Sequence, residues 1–503
     1  MAISSLWKAP EINPANLKAK TFPILNPFNK YGRAFHLSWI GFFVAFLSWF
    51  AYPPLLQGTI STDLKLTPVQ IANSNIVGLC VTLIVRFGVG PLCDRFGPRK
   101  VMIGCLVVGA IPTALTPFIH DYSGLLAARL FVGILGATFV PCQMWTTLFF
   151  DKNIVGRVNA FAGGWGNAGG GMTYYAMPAI VASLQRDGYS LSRAWKLSFV
   201  VGPFVIIMFV ALMTWFLGED CPEGKWSDRV IIKEQASITP LNEGSSTPDS
   251  YDSAIKTDKP EASSRADHGD PEMQAHANLM VEELEEVDQA IIEAPKWYDF
   301  FIVLCSPYTM LTALPYATTF GAELAIEGIL SGLYIQTVKN SGEAWSQELA
   351  GSWGSMFGLL NLVTRPLGGY VADVLYVKTG TVVAKKYWMI TCGVLEGVFL
   401  LWIGLVPSIN IAGPLVANNF MAIFLEMGNG ANFAVVPHIN PHHTGIVAGI
   451  TGAFGNLGGV MFNLAFRFAA IAGVTNFHAA YWHVGVVCIG INLLCAAILL
   501  RLK

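Results

Sequence analysis

The stretch GGWGNAGGGM, from Gly163 to Met172, returns as GAFGNLGGVM from Gly452 to Met461, on a shared skeleton G-x-x-G-N-x-G-G-x-M at an offset of 289. A second pair precedes them. RFGVGPLCD (Arg86 to Asp94) and RPLGGYVAD (Arg365 to Asp373) each place a glycine four residues and an aspartate eight residues after an arginine, at an offset of 279. Two such matches in the same order indicate a chain built twice over. The chain that carries them has 503 residues, 53% hydrophobic and only 13% charged, with a mean hydropathy of +0.51. Soluble proteins carry roughly 25% charged residues, so a set of soluble domains is excluded.

The charge is divided unevenly. Residues 218–297 hold 19 acidic and 7 basic groups, a local charge of −12, and the remainder carries +10. Outside that acidic segment the chain reads as apolar runs of about 20 residues, the length that crosses a bilayer as a helix. Twelve are found: 34–56, 68–91, 101–119, 124–148, 157–184, 195–217, 301–333, 349–372, 386–406, 411–436, 444–471 and 478–500. The fold class expected is therefore an all-α membrane protein of two pseudo-symmetric six-helix halves, 34–217 and 298–500. They are flanked by an N-terminal segment 1–33 and a tail 501–503. With both termini cytoplasmic, 15 Lys and Arg fall on inner segments and at most six on outer ones, as the positive-inside rule requires. The N-terminus lacks the apolar core of a signal peptide.

The segment 218–297 joins the halves. Rich in Ser, Thr, Pro, Asp and Glu, it is expected to be a disordered cytoplasmic loop. Val281–Ile292 is a candidate acidic amphipathic helix, and Thr239 and Thr247, each before a proline, are candidate phosphorylation sites. Of the nine cysteines, Cys80, Cys105, Cys142, Cys305, Cys392, Cys488 and Cys495 lie in apolar runs, and no CxxC occurs. Neither a disulfide framework nor a metal site is expected.

A parallel duplication of six spans resembles the major facilitator fold. The loop after span two, Gly90-Pro-Leu-Cys-Asp94-Arg95-Phe-Gly97-Pro-Arg99-Lys100, resembles that superfamily's loop signature G-x-x-x-D-R-x-G-R-K, with a proline at 98. The resemblance implies a cytoplasmic gating latch of Asp94 and Arg95, repeated more weakly at Asp373, with Arg129 of span four as partner.

Arg86 and Arg365 are the informative charges. Each precedes its aspartate by eight residues, about 12 Å along a helix, and burying a cation there is costly unless it pairs or lines a wet cavity. Pairing with Glu323, Glu327, Glu396 or Glu426 is the structural alternative. The repeat instead brings both arginines to the pseudo-axis, where two like charges call for an anion between them, and the guanidinium fork suits a flat oxyanion. The glycines, Gly163 and Gly164 among them, allow close helix approach and bare backbone amides, and Asn167 and Asn456 add neutral amides.

These paired segments resemble the two signature motifs of the nitrate/nitrite porter family, and the long acidic loop resembles its fungal high-affinity members. The resemblance implies substrate contacts at Arg86, Arg365, Asn167, Asn456, Tyr316 and Phe320 (in ALPYATTF), Phe139, Gly163 and Gly164. It implies a plasma-membrane importer of nitrate, and of nitrite, coupled to proton symport. Drawing an anion in against an inside-negative potential costs about 2.3 kcal/mol per 100 mV, so accumulation requires a coupled ion. Glu323, Glu327, Glu396 and Glu426 are the candidate proton carriers. His36, His438, His442 and His443 lie towards span ends. Nitrate/nitrite exchange, another anion such as an organic acid or sugar phosphate, and a non-transporting sensor are the alternatives. A glucose-type carrier would show polar amides in place of the arginines. No nucleophile–base pair or phosphate-cradling loop suggests an enzyme. No cofactor and no nucleic-acid partner are expected. The partners are the anion, protons and membrane lipid, and the functional unit is a monomer.

Overall fold

The structure, a computed structural model, describes residues 6–227 and 297–498, apart from 15, 343, 407–409, 441, 442, 472 and 473. Thr239, Thr247, Val281–Ile292 and His442 lie outside the described residues. Helices occupy every stretch expected to span: α1 (Lys30–Trp49), α2 (Pro68–Phe96), α3 (Pro98–Ala114), α4a (Tyr122–Val132) and α4b (Phe139–Phe149), α5 (Val155–Arg186), α6a (Leu191–Phe199) and α6b (Val205–Leu217) in the first half. The second half holds α7 (Pro307–Glu327), α8a (Gln347–Leu359) and α8b (Thr364–Thr379), α9 (Val382–Leu405), α10 (Ala412–Val435), α11 (Thr444–Phe468) and α12 (Phe477–Ala496). Among the described residues, eight helical stretches are long and apolar enough to cross a bilayer, and a bent pair ending in α7 makes a ninth. The stretches outside that set, α5, α8 and α10, are those in which Gly, Asn and Glu dilute the apolar residues or a turn divides the helix.

Local sequence sets the helix ends. Thr67 and Gln70 form a reciprocal capping box ahead of Pro68 at the first turn of α2. Gly97, at φ +88°, ends α2 and lets Pro98 open α3. A proline is favoured at that first position because its missing N–H has no helical partner there, which accounts for the residue at 98.

Three expectations are corrected. Span seven is not one rod over 301–333: Tyr298–Leu304 meets α7 at 68°, where Ser306-Pro307 breaks the ladder. Asp373 does not end its span, because α8b runs on to Thr379 and is stopped by Gly380 at φ +69°. Residues 218–227 of the expected disordered loop are ordered. Glu219 pairs with Arg33, Asp220 with Arg99 at 3.4 Å, and Lys30 Nζ donates to the Pro222 carbonyl at 2.8 Å. The buried indole of Trp226 donates to the Arg95 carbonyl at 3.0 Å.

The halves meet along two interfaces that the repeat relates. α2 packs on α11, and α5 packs on α8a and α8b. At the first crossing, a Cβ on Gly90 would stand 2.6 Å from the Gly445 carbonyl oxygen; at the second, one on Gly369 would stand 2.6 Å from that of Gly156. The offsets of 279 and 289 carry Gly90 onto Gly369 and Gly156 onto Gly445. Only glycine permits backbones this close, and both halves use it at the same place.

Candidate functional site

Arg86 on α2 and Arg365 on α8b are wholly buried. Among the described residues, no carboxylate lies within 4.0 Å of either, so neither makes the ion pair of the structural alternative. They converge: the guanidinium carbon of Arg86 lies 5.1 Å, and that of Arg365 5.3 Å, from the ring centre of Phe139.

The repeat governs what each arginine meets. Gly163 opens the first signature segment and Gly452 the second. Arg86 Nη1 donates to the Gly452 carbonyl of the opposite half at 2.7 Å. A Cβ on Gly163 would stand 2.9 Å from Arg365 Nε. Beyond that the two sides differ. The chain between α4a and α4b is a 3-10 turn, Gly133–Thr138, and the Gly136 carbonyl there accepts from Arg86 Nε at 2.9 Å and Nη2 at 2.7 Å. Arg86 is thereby fully engaged. Arg365 donates Nη2 to the Tyr316 hydroxyl at 3.1 Å, while its Nε and Nη1 have no partner.

Aromatic rings surround the pair. Tyr316 and Phe320, one turn apart on α7, stack at 5.0 Å and 9°. Phe139 lies nearly parallel to both, at 5.9 and 6.1 Å, and Arg86 stands 5.2 Å over Phe320. Phe433 of α10 closes the group edge-on to Phe139 and Tyr316, at 4.7 and 5.0 Å. Cation–π attraction steadies guanidinium groups against such faces. Phe433 was missed by the sequence reading, because nothing but its place one residue after Asn432 marks it.

The two signature asparagines are not equivalent. Asn456 donates to Gly452, one turn back on its own helix, at 3.1 Å. Asn167 crosses to the other half and donates to Glu323 Oε1 at 3.1 Å. In both, Oδ1 is buried without a partner. A Cβ on Gly164 would collide with the Asn361 carbonyl oxygen and stand 2.9 Å from Pro366 Cδ. Glu323 and Glu426 are drawn together through Asn361, a residue of the 3-10 turn between α8a and α8b. Its polar side chain one turn before Arg365 was the available signal. Glu327 and Glu396 are buried outside that cluster; the carboxyl oxygens of Glu327 have no partner, and Glu396 faces Cys488 Sγ at 4.0 Å.

Asp94 and Asp373 occupy matching positions. Asp94 Oδ1 accepts from the backbone N–H of Gly445 at the start of α11, at 3.2 Å. Asp373 Oδ2 accepts from the backbone N–H of Arg157 at the start of α5, at 2.7 Å. Each carboxylate sits where a helix dipole favours negative charge. Asp373 also holds Arg157 Nε at 3.3 Å and the buried Lys385 Nζ at 3.1 Å. Lys385 donates to His438 Nε2 at 3.1 Å, and burial together with that ammonium holds the imidazole well below the usual histidine range. Arg95 is exposed, 5.3 Å over the ring of Phe96.

Arg129 stands at the opposite end from Asp94. Its Nε donates to the Ser74 carbonyl at 3.2 Å and its Nη2 to Asn75 at 2.8 Å. Spans two and four run in the same direction, so the start of one meets the start of the other, far from the latch. There Arg129 lines a narrow cleft with Trp49, Asn75, Leu324, Gly328 and Asn463. The halves also touch at this end, through Asn75 Nδ2 and the Gly328 carbonyl at 3.4 Å and Arg467 Nε and Asn73 at 2.9 Å. The arginine site is thus enclosed between two sets of contacts joining the halves.

Comparison with known proteins places this architecture. Residues 38–335 match the Major Facilitator Superfamily model. The chain is 30% identical to Elsinochrome transporter 1 of Elsinoe fawcettii, over 98% of this chain and 97% of that one. It is 29% identical to High affinity nitrate transporter 2.5 of Arabidopsis thaliana, over 90% and 77%. It is 27% identical to Nitrate/nitrite transporter NrtP of Nostoc punctiforme, over 86% and 87%. The chain belongs to the Major Facilitator Superfamily and is a multi-pass membrane transporter, not an enzyme. Within that superfamily, the resemblance to the nitrate/nitrite porter family is shown by the same relatives.

Proposed function

We propose that the protein imports nitrate, and also nitrite, across the plasma membrane by alternating access of two six-span halves, with both termini cytoplasmic, as a functional monomer driven by proton symport. One observation carries the reading: Arg365, wholly buried, keeps Nε and Nη1 unpartnered beside Tyr316 and Phe139. A buried donor left unpaired costs free energy, and an oxyanion that takes Nε–H or Nη1–H together with the neighbouring Nη2–H, along one edge of the fork, relieves it. Names of relatives support the substrate.

In this reading Arg86 supplies charge from a position held by Gly136 and Gly452, and Arg365 supplies the grip. Phe139, Tyr316 and Phe320 exclude water and limit the site's height. Asn167 and Asn456 orient the ion through the second Nδ2 hydrogen of each amide, the first being held by Glu323 and Gly452. The paired aspartates latch the cytoplasmic side through α5 and α11, and Arg129 belongs to the outer gate. The relative named for elsinochrome favours a second reading, a larger organic substrate; the enclosure of both arginines speaks for a small ion. The deciding experiment is nitrate uptake into proteoliposomes with and without an imposed proton gradient at clamped voltage, with Arg365→Ala alongside. Gradient-driven accumulation abolished in the variant is expected. Uptake that needs internal nitrite but no proton gradient would make the protein an exchanger, and absence of nitrate flux would sink the substrate assignment.

A further inference from the structure

Two carboxylates share one amide in the middle of the C-terminal half. Asn361 Nδ2 donates to Glu323 Oε1 at 2.8 Å and to Glu426 Oε1 at 3.1 Å. All three side chains are wholly buried. One NH2 group has two hydrogens, so this bridge uses both, and the two accepting oxygens are no further apart than the two bonds laid end to end. Glu323 further accepts from Asn167 at 3.1 Å and from Asn429 at 2.6 Å, and Glu426 from the Thr364 hydroxyl. Two carboxylates this close in a water-poor interior do not both ionise without a countercharge.

The charges that face the pair are few. Arg365, four residues after Asn361 on span eight, acts on both glutamates without touching either within 4.0 Å. Glu327 and the Tyr316 hydroxyl face them from α7, and Glu396 from α9. The groups presented by α5 and α10, Asn167 and Asn429, are neutral.

The repeat makes the arrangement informative. The residue matching Asn361 at the offset of 279 is Thr82, four residues before Arg86, and its hydroxyl is engaged by the Gly133 carbonyl at 2.5 Å. The residue matching Asn167 is Asn456, which among the described residues bonds only its own helix. Both halves keep the arginine and the asparagine. Only the C-terminal half supplies carboxylates here, and the signature asparagine they engage, Asn167, comes from the other half.

We propose that Glu323 and Glu426, bridged by Asn361, form one shared proton-binding site that takes up a second proton when the anion engages Arg365. The inference rests on the nitrate reading above. In the empty site, Arg365 balances one ionised carboxylate and the other carboxyl holds a proton. An oxyanion bound at the guanidinium of Arg365 occupies that positive charge, and a proton arriving from water neutralises the remaining carboxylate. The proton leaves to water when the anion does. Asn167 carries the message structurally, because it ties Glu323 to the helix whose Gly163 lies against Arg365 Nε.

The test is proton uptake on nitrate binding, read by a pH-indicator dye with the purified full-length protein in weakly buffered detergent, beside nitrate binding by calorimetry. Wild type is expected to take up about one proton per nitrate bound near neutral pH, as linkage requires. Glu323→Gln and Glu426→Gln combined are expected to abolish that uptake, whereas either change alone, with glutamine standing in for the protonated carboxyl, leaves one carboxylate to take up the proton. Nitrate binding by wild type without proton uptake overturns the proposal and leaves the nitrate reading standing. Undiminished uptake in the folded double variant, or its loss in a folded single variant, overturns the assignment to this pair. Absence of nitrate binding in wild type overturns the nitrate reading itself.

Discussion

Arg365 and Tyr316 are joined by a single hydrogen bond, from Nη2 to the phenolic oxygen at 3.1 Å, and it is the only bond the guanidinium makes among the described residues. Everything else that orients the fork is packing. Tyr316→Phe keeps the stacked ring and removes that bond. Hydrogen bonds to charged groups contribute about 1.5–3 kcal/mol, so apparent nitrate affinity in initial-rate uptake is expected to fall roughly ten-fold or more. Arg365→Lys is expected to lose more, because an ammonium cannot present two parallel N–H groups. Normal affinity in both would remove Arg365 from the site.

Phe139 touches both cations, at 5.1 and 5.3 Å. Phe139→Leu keeps an apolar side chain and deletes two cation–π contacts. Weakening of about 1–2 kcal/mol is expected, visible as a raised KM for nitrate with membrane insertion intact. An unchanged KM would reduce Phe139 to packing.

Gly163→Ala places a methyl 2.9 Å from Arg365 Nε and 3.1 Å from Gln143 Nε2. Displacement of the guanidinium and loss of most transport are expected, with a monodisperse protein in size-exclusion chromatography. Gly104→Ala, which meets nothing within 4 Å, is the matched comparison and should transport normally. Transport by both at equal rates would show that the position of Arg365 is not critical.

At the latch, Asp373→Ala strands Lys385, a wholly buried ammonium. Breaking a buried pair from one side costs about 3–5 kcal/mol, so thermal unfolding in detergent should occur at a clearly lower temperature. Asp373→Ala combined with Lys385→Met removes both charges and should recover much of the loss. If the double variant melts no higher than the single one, Asp373 acts chiefly through the N–H groups at the start of α5.

Much of the architecture was legible because its signals are local. An apolar run long enough to cross a bilayer is visible in any window of that length. A buried arginine announces itself by its cost, and a duplicated motif reports symmetry wherever its copies lie. The convergence of Arg86 and Arg365 followed from those facts. The ends of α2 and α3 followed from Thr67, Gly97 and Pro98.

The chain alone thus determined the apolar stretches, the duplication and the two central arginines, because each is expressed in residue type and spacing. Only the tertiary structure decided how those arginines divide their hydrogen bonds, since that depends on the Gly136 carbonyl in the 3-10 turn between α4a and α4b and on the Gly452 carbonyl of the other half. It also decided that Arg129 stands away from Asp94 and that Glu323, Asn361 and Glu426 form one cluster. The reason is rotational. Helices apolar on nearly every side do not declare which face turns inward, and α2 shows almost no amphipathic bias. Which polar side chains meet is set by the angle at which each helix packs against its neighbours, and that angle exists only once the two halves have closed on each other.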